Sequence, residues 1–205
     1  MNSIEAIETV SYNRKILSIN IDGKPLDQLL CDLTNDLFYR DLWSAWLLND
    51  DDNDSKYIWT LLDERRSCNL PILLCPDDMD FWCTVIVAKV SYTKDTVVWD
   101  NIGIVTGTID IEKWRESGIM NISSWSDLDY EKYGDLLPIP DKNIEYWQQL
   151  WSKDWCEEEK KRIWNYFDPY FNDDKNIKWL NCPVFTFPID SYNNCISTFR
   201  NFETI

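Results

Sequence analysis

The chain contains no histidine at all. That removes the side chain whose ordinary pKa lies nearest neutrality, and with it the commonest general base and metal ligand. Ser–His–Asp and Cys–His catalysis cannot be assembled from these residues. Glycine and proline are also scarce, at 5 and 8 in 205 residues, which argues against long flexible linkers. No apolar run approaches the roughly 18 residues that a membrane span needs. The first residues, Met1-Asn2-Ser3-Ile4-Glu5, lack the basic and then apolar pattern of a secretory signal. A cytoplasmic location is expected.

Positive charge is in short supply as well. Thirty-six acidic residues face 20 basic ones, a formal net charge of −16. Such a surface repels phosphate backbones and anionic lipid head groups, so direct binding of nucleic acid or membrane is not expected. A basic partner is favoured, because opposite fields speed encounter. The bland alternative is that the acidity serves solubility alone.

Seven cysteines are present: Cys31, Cys68, Cys75, Cys83, Cys156, Cys182 and Cys195. Their odd number, their scatter and the lack of a Cys-x-x-Cys pair read as reduced thiols used as small apolar residues. With 44% hydrophobic and 27% charged residues, the chain suits one globular domain spanning 1–205.

The pattern of residues predicts an α+β fold, with a mainly antiparallel central sheet flanked by helices. Residues 4–21 read as a hairpin turning at Ser11-Tyr12-Asn13-Arg14. Leu26, Leu29, Leu30 and Leu33 mark a short helix. A second helix is expected from Leu37 to Leu48, with Leu42, Trp43 and Trp46 inward, and a third from Tyr57 to Arg66. Leu70–Cys75, Cys83–Val90 and Val97–Val105 carry the clearest strand signal, the last two joined by a turn at Thr93–Thr96. Helical spacing returns at Ile144, Trp147, Leu150 and Trp151. Another helix is expected to start near Asp154 and Glu157, carry Ile163, Trp164 and Phe167, and stop near Pro169. Val184–Phe187 reads as a strand and Tyr192–Phe202 as a final helix.

Several clusters invite a chemical reading. Asp50, Asp52 and Asp54 alternate as in a calcium loop, but the sixth and twelfth positions hold Ser55 and Leu61 where Gly and Glu are needed. Cys156 and Arg162 match the Cys-x5-Arg spacing of phosphatase loops, yet three intervening glutamates would repel a phosphate. Asp77, Asp78 and Asp80 follow a strand end. They suit turn capping, contact with a partner, a magnesium site or an acid–base pair. Twelve tryptophans exceed what one interior readily buries, so some are expected at the surface as interface anchors; Trp82 and Trp99 suit either place.

The stretch Leu70-Pro71-Ile72-Leu73-Leu74-Cys75-Pro76-Asp77-Asp78-Met79-Asp80-Phe81-Trp82-Cys83-Thr84-Val85-Ile86-Val87, continuing to Val98-Trp99-Asp100-Asn101-Ile102-Gly103, resembles bacterial immunity proteins of contact-dependent inhibition and related polymorphic toxin systems. Asp129-Tyr130-Glu131-Lys132-Tyr133-Gly134-Asp135 adds to the likeness. The resemblance implies a protein that binds one cognate toxin, often a nuclease, and blocks it stoichiometrically. The acidic composition and the absence of histidine lead to the expectation of a basic toxin and a non-enzymatic protein, with no metal or cofactor expected. Asp50, Asp51, Asp52, Asp54, Asp77, Asp78 and Asp80 are the candidate partner-binding residues. The competing readings are a carboxylate-based hydrolase built on a pair such as Asp77/Asp80, and an acidic adaptor in an unrelated complex.

Overall fold

The structure is a computed structural model and describes residues 1–47, 53–118, 125–133 and 155–202. It is an α+β fold whose chain divides into two compact units: residues 1–107 with 171–205, and residues 108–170.

The first unit begins with the expected hairpin. Strands β1 (Ile4–Ser11) and β2 (Arg14–Ile21) pair antiparallel from Ile4↔Ile21 to Ser11↔Arg14. Tyr12 and Asn13 both take positive φ, the two-residue turn whose twist matches that of the flanking strands. Burial changes along the hairpin instead of alternating across it: Ile16, Leu17 and Ile19–Ile21 of β2 are buried with Ile4 of β1, while Ile7–Val10, near the hairpin tip, are exposed. A two-residue strand β3 (Lys24–Pro25) adds to β2 and leads directly into helix α1 (Leu26–Thr34), which buries Leu26, Leu30 and Cys31.

The helix expected over 37–48 does not form among its described residues. A single 3-10 turn (Leu37–Tyr39) is followed by Asp41 at φ 64°, by a two-residue strand β4 (Trp43–Ser44) and by a second 3-10 turn (Ala45–Leu47). Asp36 caps the first turn by accepting from the Phe38 N–H at 2.9 Å, and the left-handed residue at 41 ends any helical continuation. Trp46 is buried as expected, but from a 3-10 turn: its indole donates to the Pro71 carbonyl, and its ring meets Trp99, Tyr192 and Phe199 edge-on.

Helix α2 (Asn53–Asp63) starts four residues earlier than its apolar pattern suggests and buries Tyr57, Ile58, Leu61 and Leu62. The central sheet runs β4–β5–β6–β7–β8, with β5 at Cys68–Leu74, β6 at Val85–Tyr92, β7 at Thr96–Val105 and β8 at Ile177–Trp179. A further strand, β9 (Phe185–Pro188), also pairs with β7. Every pairing is antiparallel. Every residue of β5 is buried, and its Pro71 sits at a register shift between Pro71 and Leu73, where a lost ladder N–H is tolerated. Gly103 lets β8 lie close, since a Cβ there would overlap the Ile177 and Trp179 side chains.

The last helix of this unit (Ile189–Arg200) packs on β1, β7 and β9, burying Tyr192, Cys195 and Phe199. Trp99, Phe187 and Tyr192 form the aromatic centre of the core.

The second unit is helical among its described residues. Helix α3 (Ile111–Glu116) is capped by Asp110, which accepts from the Lys113 N–H. In α4 (Asp127–Tyr133), Asp129 folds back onto Ser126 and takes an ion pair from Lys161 at 2.6 Å. Helix α5 (Trp155–Arg162) continues through a wide turn at Ile163–Phe167 and a short helix at Asp168–Phe171, so helix persists past Pro169. Pro169 comes directly after the wide turn, where the ordinary i→i−4 ladder is already interrupted: the Asp168 N–H reaches back to the Ile163 carbonyl. The expected helix at 144–151 and its start at Asp154 lie outside the described residues.

Candidate functional site

Two surfaces of the first unit concentrate charge and aromatic rings. One was anticipated from the sequence; the other was not.

The anticipated one is the loop from Cys75 to Thr84, joining β5 to β6. Its base is closed by the Cys75 N–H donating to the Thr84 carbonyl at 3.1 Å. Phe81 is the anchor: it is fully buried and meets Tyr57 and Phe171 edge-on. With Phe81 held inward, the residues on either side are held at the surface. Asp77, Asp78 and Cys83 are exposed, and Trp82 is 42% exposed. Trp99, by contrast, is wholly buried. Asp80 accepts from the Trp82 N–H at 2.9 Å, the turn role weighed for this cluster. Asp54, in the first turn of α2, accepts from the Phe81 N–H at 3.1 Å. Asp54 and the Asp77–Asp80 cluster therefore meet in one place, but Asp54 and Asp80 are engaged by backbone. Asp50, Asp51 and Asp52 lie outside the described residues. The sulfurs of Cys75 and Cys83 also come together here. The Cys83 thiol pKa is raised, first by its hydrogen bond to Cys75 and then by burial.

The unanticipated surface is a cleft of about 360 Å³ between the tip of the β1–β2 hairpin, the start of α1 and the segment Asp41–Ser44. That volume is within the range of small-ligand pockets, about 300–1,000 Å³. Two carboxylates reach it. Asp27, in the first turn of α1, accepts from the Asp41 N–H at 3.1 Å. Burial is the chief cause that raises the Asp27 pKa, and the Asp41 carboxylate adds to it against the pull of backbone donors. Asp41 is exposed and left-handed, a conformation Asp tolerates better than most residues. Two aromatic rings complete the wall. Trp43 donates its indole N–H to the Ser11 hydroxyl at 3.0 Å, and Tyr12 tilts toward it with ring centroids 6.2 Å apart. Tyr12 is 67% exposed while holding φ 50°, an unfavourable backbone for a bulky residue. A carboxylate pair beside an exposed tyrosine and a half-buried tryptophan ring attracts cations, by charge and by the ring quadrupole.

Nothing in the sequence pattern marks this cleft. Asp27 and Asp41 are fourteen positions apart, and the helix expected over 37–48 would have sent Asp41 elsewhere. The one local signal is Tyr12-Asn13 in a two-residue turn, which places an aromatic at a hairpin tip.

In the second unit, the Cys156–Arg162 segment is continuous helix. Arg162 is bound by the buried Glu158 at 2.7 Å and lies over the Trp114 ring. That arrangement holds the guanidinium in the packing of the unit, not in a phosphate cradle.

No helix among the described residues is long and apolar enough to cross a membrane. No family model, characterised protein or solved structure matches the chain. The likeness to immunity proteins therefore rests on the quoted residues alone.

Proposed function

We propose that this protein is a stoichiometric inhibitor of a basic protein toxin, of the nuclease type, and that it receives a lysine or arginine side chain of that toxin in the Asp27–Asp41 cleft. The observation that carries this reading is the joining of two carboxylates and two aromatic walls in one cleft of a chain with net charge −16. Arg, Tyr and Trp dominate binding hot spots, and a half-enclosed cationic stem against an indole is their usual form. The exposed Asp77, Asp78 and Trp82 supply a second acidic and aromatic strip of the same character. A nuclease site built to attract polyanions is the kind of surface such a cover complements.

The test is co-expression with a basic toxin domain encoded beside this chain, scored by growth. Rescue by the natural sequence and its loss in the Asp27→Asn/Asp41→Asn double variant support the reading. Equal rescue by both removes the cleft from it. No rescue by the natural sequence favours the acidic adaptor.

A carboxylate hydrolase would place its acid–base pair in the same cleft, with Asp27 as the proton donor. It then predicts turnover that is abolished by either single variant, with no requirement for a protein partner.

A further inference from the structure

We propose that Cys75, Asp78 and Cys83 form a zinc site on the β5–β6 loop, independent of the cation-binding cleft. Their ligand atoms, two sulfurs and a carboxylate oxygen, all lie within 4.8 Å of one another. A metal–sulfur bond of about 2.3 Å sets neighbouring tetrahedral ligands roughly 3.8 Å apart. Closing the set onto one ion therefore asks for about 1 Å of movement by side chains, two of which are exposed.

The backbone beneath them is already fixed. Cys75 directly follows the fully buried strand β5, and its N–H donates to the Thr84 carbonyl; the Met79 N–H closes a turn onto the Cys75 carbonyl at 3.0 Å; Phe81 plugs the core. The Asp54 carboxylate holds the Phe81 N–H. Both thiols are thus presented by a loop whose shape does not wait for the metal, the arrangement that favours a defined coordination geometry.

Ligand type selects the ion. Two thiolates disfavour Mg²⁺ and Ca²⁺, which take oxygen donors, and favour Zn²⁺. Binding displaces a proton from each thiol to solvent and leaves the metal with two thiolates and one carboxylate, so the fourth tetrahedral position falls to water or to a donor from a partner.

The experiment uses the full chain, reduced and freed of metal, titrated with Zn²⁺ against a chromophoric chelator and with Co²⁺ as a spectroscopic stand-in. One equivalent of Zn²⁺ per chain is expected, with a thiolate-to-cobalt charge-transfer band and the intense visible absorption of tetrahedral Co²⁺. Cys83→Ser, at an exposed position and therefore safe for folding, should weaken Zn²⁺ binding by more than about 100-fold, beyond the 10–100-fold typical of outer-shell losses. Cys75→Ser should do the same, and Asp78→Asn should weaken binding while retaining the charge-transfer band. Asp77→Asn should change nothing. Absence of a one-to-one complex under reducing conditions overturns the assignment. So does cobalt absorption that survives in Cys83→Ser with circular dichroism unchanged.

Discussion

The Asp27 carboxylate accepts the backbone N–H of Asp41 at 3.1 Å, which ties the first turn of α1 to a left-handed residue on the loop before β4. Burial of the Asp27 carboxylate, and to a lesser degree the negative charge of Asp41, disfavours its ionised form and so costs stability.

Asp27→Asn should therefore stabilise the protein near neutral pH. The folded-state pKa of Asp27 is raised, so the native state holds a proton where the unfolded chain has lost it. Stability then falls as pH rises from the ordinary aspartate value through the raised one, and the full penalty applies above it. Asparagine keeps the acceptor for the Asp41 N–H and removes the charge. Urea midpoints should rise at pH 7, by within about 1 kcal/mol, and the pH dependence in that window should flatten. A lower midpoint at pH 7 would contradict this.

Asp129 behaves oppositely. Burial acts to raise its pKa, but hydrogen bonds from Lys161 and Ser126 outweigh it, and the net direction is down. The stability it contributes is present above the ordinary aspartate value and lost as pH falls through the lowered one. Asp129→Asn should destabilise the 108–170 unit at pH 7 and remove part of its acid sensitivity. Tryptophan fluorescence against urea, at pH 7 and at mildly acid pH, reads both effects.

Breaking the Glu158–Arg162 pair from one side takes the opposite charge away from a group that is almost fully buried. Arg162→Met should cost about 3–5 kcal/mol, whereas replacing both partners with apolar residues should cost much less. A double-mutant cycle on thermal unfolding separates the two. Gly118 belongs to the same arrangement, because a Cβ there would overlap the Glu158 carboxyl.

Phe81→Ala should cost about 3–5 kcal/mol, since the ring fills a site between Tyr57 and Phe171. The variant should also weaken Zn²⁺ binding at Cys75 and Cys83 without altering a ligand. A small stability change would mean that the loop is not anchored there.

Strands of strong β-forming residues were legible in the sequence because their periodicity and their turns agree: β1–β2 and β6–β7 lie where expected, as does α1. The region 37–47 was not, because Leu42, Trp43 and Trp46 imitate helical spacing, whereas only Trp46 is buried, from a 3-10 turn, and Trp43 is half-buried in a two-residue strand. That misreading hid the cleft, since Asp41 meets Asp27 only when the chain turns left-handed there. The acidic loop was legible as capping chemistry at Asp80, but a hydrogen bond from Phe81 to Asp54, 27 positions away, has no local signature. Cys75 and Cys83 are eight positions apart with bulky neighbours, and only the antiparallel return of the chain into β6 brings their sulfurs together.

The most direct measurement is the equilibrium affinity of this chain for a basic nuclease-type toxin domain of the proposed kind, taken at rising salt for the natural sequence and for Asp41→Asn. Asparagine keeps the left-handed preference of position 41 and deletes only its charge. The account predicts tight one-to-one binding that weakens with salt, together with a loss of tenfold or more, about 1.4 kcal/mol, and a shallower salt slope in the variant. Binding that is indifferent to both salt and the variant would contradict it.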